Sequence, residues 1–375
     1  MKYLSTIISL LLVVGQGVAQ NIEGNFQYRV GDVMRKQVVD YMVDTIAAKN
    51  RVWNLQDLEF LDGRRKVIFD SVYNRSELVS YVEKNTRYFF EQRNDSLLAW
   101  GHENNLSKEV YNLPIMQLHT PLIYGEKFEG LFHGRKTYCE RIFSRVFGKW
   151  SVEVDGTGMM LLPEGDTLRN VSRVHLHQEK MVLSYSAITT DEDLTAYVDS
   201  IAVFTADSIL NEMQNGIRDE VMDVYRWYAT GYRYPVLDVI LKRKNGQVKT
   251  EAYYLSPVSQ EELYDAENEL IRKQMAEMPS LAYSVSDHGA GSSPMSRCDI
   301  SVSGQTVKIQ FDLTELATVT GLVSDVPGLL LRKQSRNYEA GTDYEMELDC
   351  QGLRSGTYVL YLNVNGEVTS HLVNL

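Results

Sequence analysis

The sequence predicts an all-β protein of two domains: a large β-sandwich or jelly-roll-like domain followed by a smaller immunoglobulin-like β-sandwich. Polar and apolar residues alternate with a period of two over most of residues 26–255, which is typical of half-buried strands. Short strand patterns recur over residues 297–375. Between these regions lies a Gly- and Ser-rich stretch that cannot bury much apolar surface, so we interpret residues 279–296 as a linker.

Alternation and turn dipeptides mark the strands of the first domain, residues 20–278. The clearest alternating runs are KVIFDSV, RYFFEQ, KMVLSYSAI, DSIAVF and VLDVILKRKNGQVKTEAYYL. The last run contains Asn245-Gly246, which predicts a hairpin because both central residues of a type I′ turn need positive φ. Two further hairpin turns are expected at Asn94-Asp95 and Asp155-Gly156.

One helix is expected to close the first domain, at about residues 259–277. Ser259 and Glu262 have the spacing of a capping box, and Leu263 and Leu270 follow on one face.

The C-terminal domain, residues 297–375, is expected to hold seven short strands, a number that favours an immunoglobulin-like sandwich. They are CDISVS, TVKIQFDL, TVTGLVSD, GLLLRKQ, DYEMELDC, TYVLYLNV and EVTSHLV. In the sixth strand Tyr358, Leu360, Leu362 and Val364 share the face that we expect to line the core. Asn365-Gly366 predicts the last hairpin turn.

The first 19 residues have the features of a secretory signal peptide. Lys2 precedes an apolar run from Ile7 to Val14 and small residues that end at Ala19. The run is shorter than the about 20 apolar residues that span a bilayer. We therefore expect a mature chain that begins at Gln20, has no transmembrane segment and is secreted or held at the outer cell surface.

The charge balance is acidic. Lys and Arg number 38, Asp and Glu number 50, and the net charge is −12. Nucleic acid and anionic membrane surfaces attract basic patches, so this balance argues against either as the main partner.

Three cysteines occur in a chain that is expected to reach an oxidising compartment, where disulfides form. Cys298 and Cys350 both lie in the C-terminal domain, so we expect a bridge between them that would stabilise it by about 2–4 kcal/mol. Cys139 would then be free. Three unpaired cysteines in separate strands are the alternative.

Two motifs in the C-terminal domain, SDVPGLLL and LRSGTYVLYLNVNGEVTSHLV, carry a family resemblance. They are similar to the Gly-containing turn, Tyr-rich strand and final short strand of the sorting domains that Bacteroidetes use for type IX secretion. The resemblance covers about 80 residues. It implies that the outer-membrane secretion machinery is a partner, with a periplasmic location as the alternative.

Two motifs of the first domain, GTGMMLLPEGDTLRNVSRVHL and YRWYATGYRYPVLDV, resemble the large β-rich region of uncharacterised secreted Bacteroidetes proteins. The resemblance implies no activity for particular residues. Independently of it, Pro163 and Gly165 predict a tight turn that folds residues 159–162 back onto residues 171–176.

A group of aromatic residues in VYRWYATGYRY is a candidate binding platform for a glycan or a protein, because aromatic faces stack on sugars and peptides. Its members are Tyr225, Trp227, Tyr228, Tyr232 and Tyr234. The alternative is that Trp227 fills the core and the tyrosines flank it.

His175 and His177 are two residues apart on a predicted strand, so both side chains point to one face, as pairs of metal ligands do. No third ligand is near in the sequence, and we expect two exposed or stacked histidines rather than a metal site. The acidic run Asp191, Glu192 and Asp193 lacks the spacing of a calcium loop and is interpreted as a solvated hairpin tip. No cofactor is expected.

Six triplets of Asp, then Ser or Thr, then an apolar residue resemble the O-glycosylation rule of Bacteroidetes, where chance would give roughly one or two. The candidate acceptors are Thr45, Ser71, Ser96, Thr167, Ser200 and Ser208. An equally weighted alternative is that Asp-turns entering strands create the same triplets without any sugar.

These observations favour a secreted or cell-surface binding or structural protein without catalytic residues of its own. The alternative from another class is a carbohydrate-active enzyme, which would need two carboxylates in a groove. A fimbria-like subunit is a third hypothesis and would need an exposed sheet edge for strand exchange.

Overall fold

The computed structural model describes residues 22, 24–185, 188, 190–202, 204–277, 294–324, 330–364 and 367–375. The expected signal peptide, most of the expected linker and the turn expected at Asn365-Gly366 lie outside these residues. Strands hold 61% of the residues and helices 11%, so the all-β prediction is confirmed.

The described residues of the first domain lie mainly in thirteen strands. In chain order they are β1 (Val33–Asp40), β2 (Ala48–Asn54), β3 (Glu59–Ser71), β4 (Leu78–Glu83), β5 (Thr86–Arg93), β6 (Ser96–Glu103), β7 (Ser107–His119), β8 (Lys127–Tyr138), β9 (Ile142–Leu161), β10 (Thr167–Ser184), β11 (Glu220–Ala229), β12 (Leu237–Lys244) and β13 (Gln247–Tyr254).

Twelve of these strands, β1 and β3–β13, close into an antiparallel β-barrel, and β2 lies outside it, parallel to β9. The barrel strands follow one another in chain order, and β1 closes the circle by pairing with β13. The sandwich or jelly-roll arrangement predicted for this domain is therefore not confirmed. Alternation with a period of two occurs in open and closed sheets alike and does not report which strands meet.

Several predicted turns are confirmed. Asn245 and Gly246 join β12 to β13 with φ values of 51° and 74°, and Asn94 begins the turn between β5 and β6 with a φ of 50°. The turn predicted around Pro163 and Gly165 joins β9 to β10. The turn predicted at Asp155-Gly156 is wrong, because both residues lie inside β9.

Apolar side chains fill the barrel interior. Tyr111, Phe132, Val146, Leu176 and Val224 come from five neighbouring strands, β7–β11, and belong to one buried cluster. A cavity inside the barrel has a volume of about 50 Å³, enough for a few water molecules. This cavity has no room for a sugar or peptide.

Buried ion pairs occupy one part of this interior. Lys180 Nζ lies 3.6 Å from Glu109 Oε1 and 3.5 Å from Glu220 Oε1, and Tyr111 donates a hydrogen bond of 2.7 Å to Glu109. The Glu109 side chain is fully buried, so these partners compensate the cost of removing its charge from water.

The closing seam of the barrel is short, since β1 and β13 pair at three positions. Side chains reinforce it. Lys36 on β1 forms an ion pair of 2.6 Å with Asp238 on β12, and Tyr234 donates a hydrogen bond of 2.7 Å to Asp32.

The part of the chain that the structure describes contains four helices outside the barrel wall: α1 (Asp191–Ala202), α2 (Ala206–Asn215), α3 (Pro257–Glu261) and α4 (Ala266–Glu277). Ile209 and Met213 of α2 cover Phe147 and Met181 on the outer face of β9 and β10. None of the helices among the described residues is long and apolar enough to cross a lipid bilayer.

Two predictions about the helical segments are corrected. The acidic run is the first turn of α1, not a hairpin tip, and the run DSIAVF, predicted as a strand, contains the end of that helix. Thr190 and Asp193 form the capping box of α1, with hydrogen bonds of 3.0 and 3.1 Å. The helix expected at 259–277 is divided into α3 and α4 by Tyr264, whose φ is 52°, and its cap is Ser256 rather than Ser259.

The C-terminal segment forms two sheets. One contains β14 (Met295–Ser303), β15 (Thr306–Leu313) and β18 (Gly341–Asp349); the other contains β16 (Ala317–Ser324), β17 (Leu330–Tyr338), β19 (Thr357–Val364) and β20 (Glu367–Asn374). Both sheets contribute to one apolar cluster, in which Tyr358, Leu360, Leu362 and Val364 lie as predicted. β14 begins at Met295, inside the range expected for the linker.

A second apolar cluster joins the C-terminal sheets to the barrel. Met159 and Leu161 of β9 pack against Leu322 of β16 and against Val359 and Tyr361 of β19. Strand β19 is therefore apolar on both faces: one face lines its own core and the other contacts the barrel.

The predicted bridge between Cys298 and Cys350 is not formed, and all three cysteines are free. Cys298 pairs with Phe311 on β15, whereas the backbone of Cys350 bonds to Gln305 at the far end of that strand. Six residues of strand separate these points by about 20 Å. A disulfide needs Cα atoms within about 7 Å.

Arg233 and Asp265 tie α4 to the barrel seam. Arg233 is buried, donates two hydrogen bonds to the Asp265 carboxylate, at 2.6 and 3.0 Å, and donates a third to the carbonyl of Gln27 at 2.7 Å. Burial alone would raise the pKa of Asp265, but hydrogen bonds from Arg233 and Asn268 outweigh it and lower the pKa to about 2.

We expect Asp265→Asn to lower the free energy of unfolding of the barrel by about 3 kcal/mol at pH 7, because a buried guanidinium loses its ionic partner. In the wild type this contribution is present above the unfolded pKa of the carboxyl, about 3.9, and is lost as the pH falls through the folded value. Urea unfolding followed by tryptophan fluorescence measures it, since Trp53, Trp100, Trp150 and Trp227 all lie in the first domain. The exposed Glu262→Gln is the control, and equal midpoints for Asp265→Asn and wild type at pH 7 would contradict the role of the pair.

Candidate functional site

The five aromatic residues predicted to bind a ligand are buried. Their exposed fractions are 3% for Tyr225, 0% for Trp227, 2% for Tyr228, 9% for Tyr232 and 1% for Tyr234. They cannot form an exposed platform, so the prediction that they bind a ligand is wrong. The alternative, in which Trp227 fills the core, describes the structure. Trp53 and Tyr41 contact Trp227 edge-on, with ring centroids 6.1 and 5.9 Å away.

Arg173 fixes the chain segment that covers this aromatic group. It is fully buried, donates hydrogen bonds of 2.7 and 3.0 Å to the Asp155 carboxylate, and lies over the rings of Tyr225 and Trp227. It also donates to the carbonyl oxygens of Asp44 and Ile46 in the segment before β2. The outer face of β10 and β11 is therefore covered next to Trp227 and becomes polar farther along.

His175 and His177 lie on that polar part of the outer face, next to Asp223. The register of β10 and β11 places His177 directly opposite Asp223. His175 Nε2 is 3.0 Å and His177 Nδ1 is 2.7 Å from the same oxygen, Asp223 Oδ1. The structure thus supplies the third potential ligand that the sequence did not show, 46 residues from His177.

The electrostatics of this His-Asp cluster, defined as His175, His177 and Asp223, follow from these contacts. The hydrogen bond to Asp223 raises the pKa of His177 against the opposing effect of burial. Burial would raise the pKa of Asp223, but hydrogen bonds from both histidines reverse this and hold it below its ordinary range. Arg243 forms an ion pair with the other oxygen of Asp223.

A second feature of the outer face is a groove of about 370 Å³ across β4–β8, which we name the Trp100 groove. Its apolar floor includes Leu78, Phe89, Trp100 and Val110. Charged groups also line it: Arg75, Glu103, Lys108 and Arg135. The volume falls in the range of ligand pockets, about 300–1,000 Å³.

A β-bulge places Trp100 in this groove. Phe90 pairs with Ala99 and Phe89 pairs with Gly101, so Trp100 is the extra residue of β6 relative to β5. Gly101 is required there, because an added Cβ would lie 2.0 Å from the carbonyl oxygen of Glu109. Trp100 Nε1 donates a hydrogen bond of 2.8 Å to Glu91, which fixes the indole. The signal in the sequence was a glycine inside an alternating run, a sign of a bulge.

The predicted O-glycosylation acceptors lie in different environments. Thr45 and Ser71 are exposed, whereas Ser96, Thr167, Ser200 and Ser208 are half-buried. Asp44 accepts a hydrogen bond of 2.9 Å from the Ile46 amide, as the Asp-turn alternative expects for this triplet. Glycosylation stays a prediction, with Thr45 and Ser71 as the accessible acceptors.

No known protein family matches this sequence, and a search of curated proteins finds no match either. The function is therefore argued from the geometry of the chain.

We expect Trp227→Ala to lower the free energy of unfolding by about 3–5 kcal/mol, as the removal of a fully buried Trp does. Trp100→Ala is the matched control and should cost far less, since its ring lies in an open groove. Urea unfolding followed by circular dichroism compares the two variants. A small loss for Trp227→Ala would show that this residue is not part of the core.

Proposed function

We propose that this chain is a secreted or cell-surface binding protein without catalysis of its own, and that the Trp100 groove binds an acidic glycan. The observation that carries the proposal is the contrast between two described spaces: a cavity inside the barrel has about 50 Å³, whereas the outer groove has about 370 Å³. Ligand binding is therefore expected outside the barrel.

The chemistry of the groove supports a glycan. Trp100 and Phe89 offer aromatic faces on which a sugar ring can stack. Three cationic residues, Arg75, Lys108 and Arg135, line the groove with one carboxylate, that of Glu103. This excess of positive charge within an acidic protein complements a sugar that bears carboxylates.

The same lining favours a binder over a glycoside hydrolase. Canonical hydrolysis needs two carboxyl groups about 5–9.5 Å apart across the bond. Among the described residues that line the groove, Glu103 is the one carboxylate, and it forms an ion pair of 3.2 Å with Lys108. The enzyme hypothesis would need a second acid from elsewhere. The fimbria-like alternative would have to use β2 or the C-terminal sheets, because closure leaves the described barrel strands without a free edge.

Export through the type IX system by an immunoglobulin-like C-terminal domain is part of the proposal. It is supported by the resemblance of the C-terminal motifs and by the arrangement of seven strands in two sheets that share a core. The proposal includes removal of residues 1–19 before export, and N-terminal sequencing of the exported protein should find Gln20 first.

We expect Trp100→Ala to weaken the binding of an acidic oligosaccharide by a factor of about 2–10, because an aromatic contact of this kind contributes about 0.5–1.5 kcal/mol. Arg135→Gln should weaken the binding of the acidic sugar and leave that of a neutral sugar unchanged. Calorimetry with an oligogalacturonate and a maltooligosaccharide of equal length measures both effects.

Tyr264→Ala, an exposed aromatic on the turn between α3 and α4, is the control and should bind as wild type does. Equal affinity of wild type for the acidic and the neutral sugar, or tighter binding of a peptide than of either, would refute the glycan assignment.

Deletion of residues 367–375 should keep the protein in the periplasm, while the full-length chain reaches the cell surface. The deletion removes β20, which pairs with β19 at eight positions, and opens the C-terminal core. The barrel should stay folded, as its tryptophan fluorescence would show. Leu372→Ser, a change at an exposed residue of the same strand, is the control. Surface delivery of the truncated chain in a Bacteroidetes host, detected by cell fractionation, would disprove the sorting role.

A further inference from the structure

The His-Asp cluster has the donor set of a transition-metal site. We propose that His175, His177 and Asp223 bind one divalent transition-metal ion, for which Zn²⁺ is the probe. Two imidazoles and a carboxylate are the ligand types of zinc sites that keep a fourth position open. The proposal is independent of the Trp100 groove.

The geometry needs little change to accept the ion. The three ligand atoms lie within 4.8 Å of one another, and both histidine nitrogens are 2.7–3.0 Å from one Asp223 oxygen. Bonds of about 2.0–2.1 Å in a tetrahedral site place ligand atoms about 3.3 Å apart. Small side-chain rotations that replace the two shared hydrogen bonds by metal bonds therefore suffice.

Outer contacts orient both histidines for this role. When His175 binds through Nε2, its Nδ1 faces Asp155 Oδ2 at 3.9 Å. When His177 binds through Nδ1, its Nε2 faces Glu179 Oε1 at 3.5 Å. A ligating imidazole usually donates its other ring N–H to a carboxylate, carbonyl or water, which fixes the orientation of the ring.

These supporting groups are themselves held in place. Arg173 fixes Asp155 with two hydrogen bonds, and Arg218 donates one of 2.8 Å to Glu179. The His175 ring stacks on Tyr225 with centroids 4.3 Å apart and planes 7° from parallel. The ligand positions are thus built into the barrel wall.

The site is accessible from solvent on one side. The side chains of His175 and His177 are 24% and 31% exposed, whereas that of Asp223 is 8% exposed. An ion held there can keep a water molecule or take a donor atom from a ligand. Ca²⁺ and Mg²⁺ prefer oxygen donors and should not compete.

Arg243 provides a way to distinguish a metal site from an ion-pair network. Its guanidinium contacts Asp223 Oδ2 and leaves Oδ1 to the histidines. Its positive charge should weaken metal binding, so Arg243→Gln should bind Zn²⁺ several-fold more tightly. In a purely ionic network the same change removes one partner and adds no metal affinity.

The test is calorimetric titration of Zn²⁺ into the metal-free full chain carrying Cys139→Ser and Cys298→Ser, which removes the two exposed thiols. We expect one equivalent to bind and the affinity to fall more than about 100-fold in His177→Ala and in Asp223→Asn. Glu179→Gln should lower it about tenfold. His119→Ala, which alters a histidine bonded to Ser96 in another part of the barrel, is the control and should bind as the parent does.

Co²⁺ gives a readout that does not depend on stability, since a tetrahedral site with nitrogen and oxygen donors produces visible absorption without thiolate bands. Tryptophan fluorescence confirms that each variant is folded, and Asp223→Asn preserves side-chain shape if His177→Ala does not fold. Absence of stoichiometric Zn²⁺ binding by the parent, or unchanged binding in a folded Asp223→Asn, would overturn the proposal.

Discussion

The pairing of β1 with β13 is the contact on which the rest of the structure depends. Every other contact between neighbouring barrel strands joins elements close in the chain, whereas this seam brings residues 37–39 to residues 252–254. Three paired positions are few for such a closure, and the polar contacts of Arg233, Asp265, Lys36 and Asp238 add to them. Closure leaves no unpaired edge in the barrel and fixes which side chains face inwards.

Because the barrel is closed and its interior is packed with side chains, both candidate binding sites lie on the outer wall. Inward-facing positions are taken by apolar residues and by compensated charges such as Glu109 and Lys180. The outer wall is divided into covered and open areas. Residues 41–58 cover Trp227, and helix α2 covers Phe147. The His-Asp cluster and the Trp100 groove stay accessible. Arg173 lies at one such boundary, because it holds the cover on Trp227 and, through Asp155, supports His175.

The sequence was informative where structure is local. The strands and the turns at residues 94–95, 162–166 and 245–246 follow from alternation and from residues that tolerate positive φ. Closure could not be predicted, because nothing local distinguishes β1 and β13 from edge strands. Helix α1 was missed because its last four residues, DSIA, begin the run DSIAVF, which also alternates as a strand does. The disulfide was predicted from membership of one domain, which does not fix the distance between strand ends.

The candidate sites also depend on contacts between distant residues, which the sequence does not show. The histidine pair was recognisable from its spacing, but Asp223 joins it only through the register of β10 and β11. The aromatic run around Trp227 looked like a platform because its cover, residues 41–58, lies far away in the sequence. Trp100 was overlooked, although Gly101 beside it indicated a bulge.

The apolar contact between β9 and β19 determines how the barrel and the C-terminal sheets respond to cleavage of the backbone that joins them. Met159, Leu161, Leu322, Val359 and Tyr361 form this contact, and the backbone between residues 277 and 294 is the covalent connection across it. A covalent connection makes such a contact intramolecular and so raises the effective concentration of the two surfaces. Cleavage within it would turn an intramolecular contact into a bimolecular one. Whether the C-terminal sheets then stay with the barrel or diffuse away would depend on dilution, so a protease could convert a permanent attachment into a reversible one.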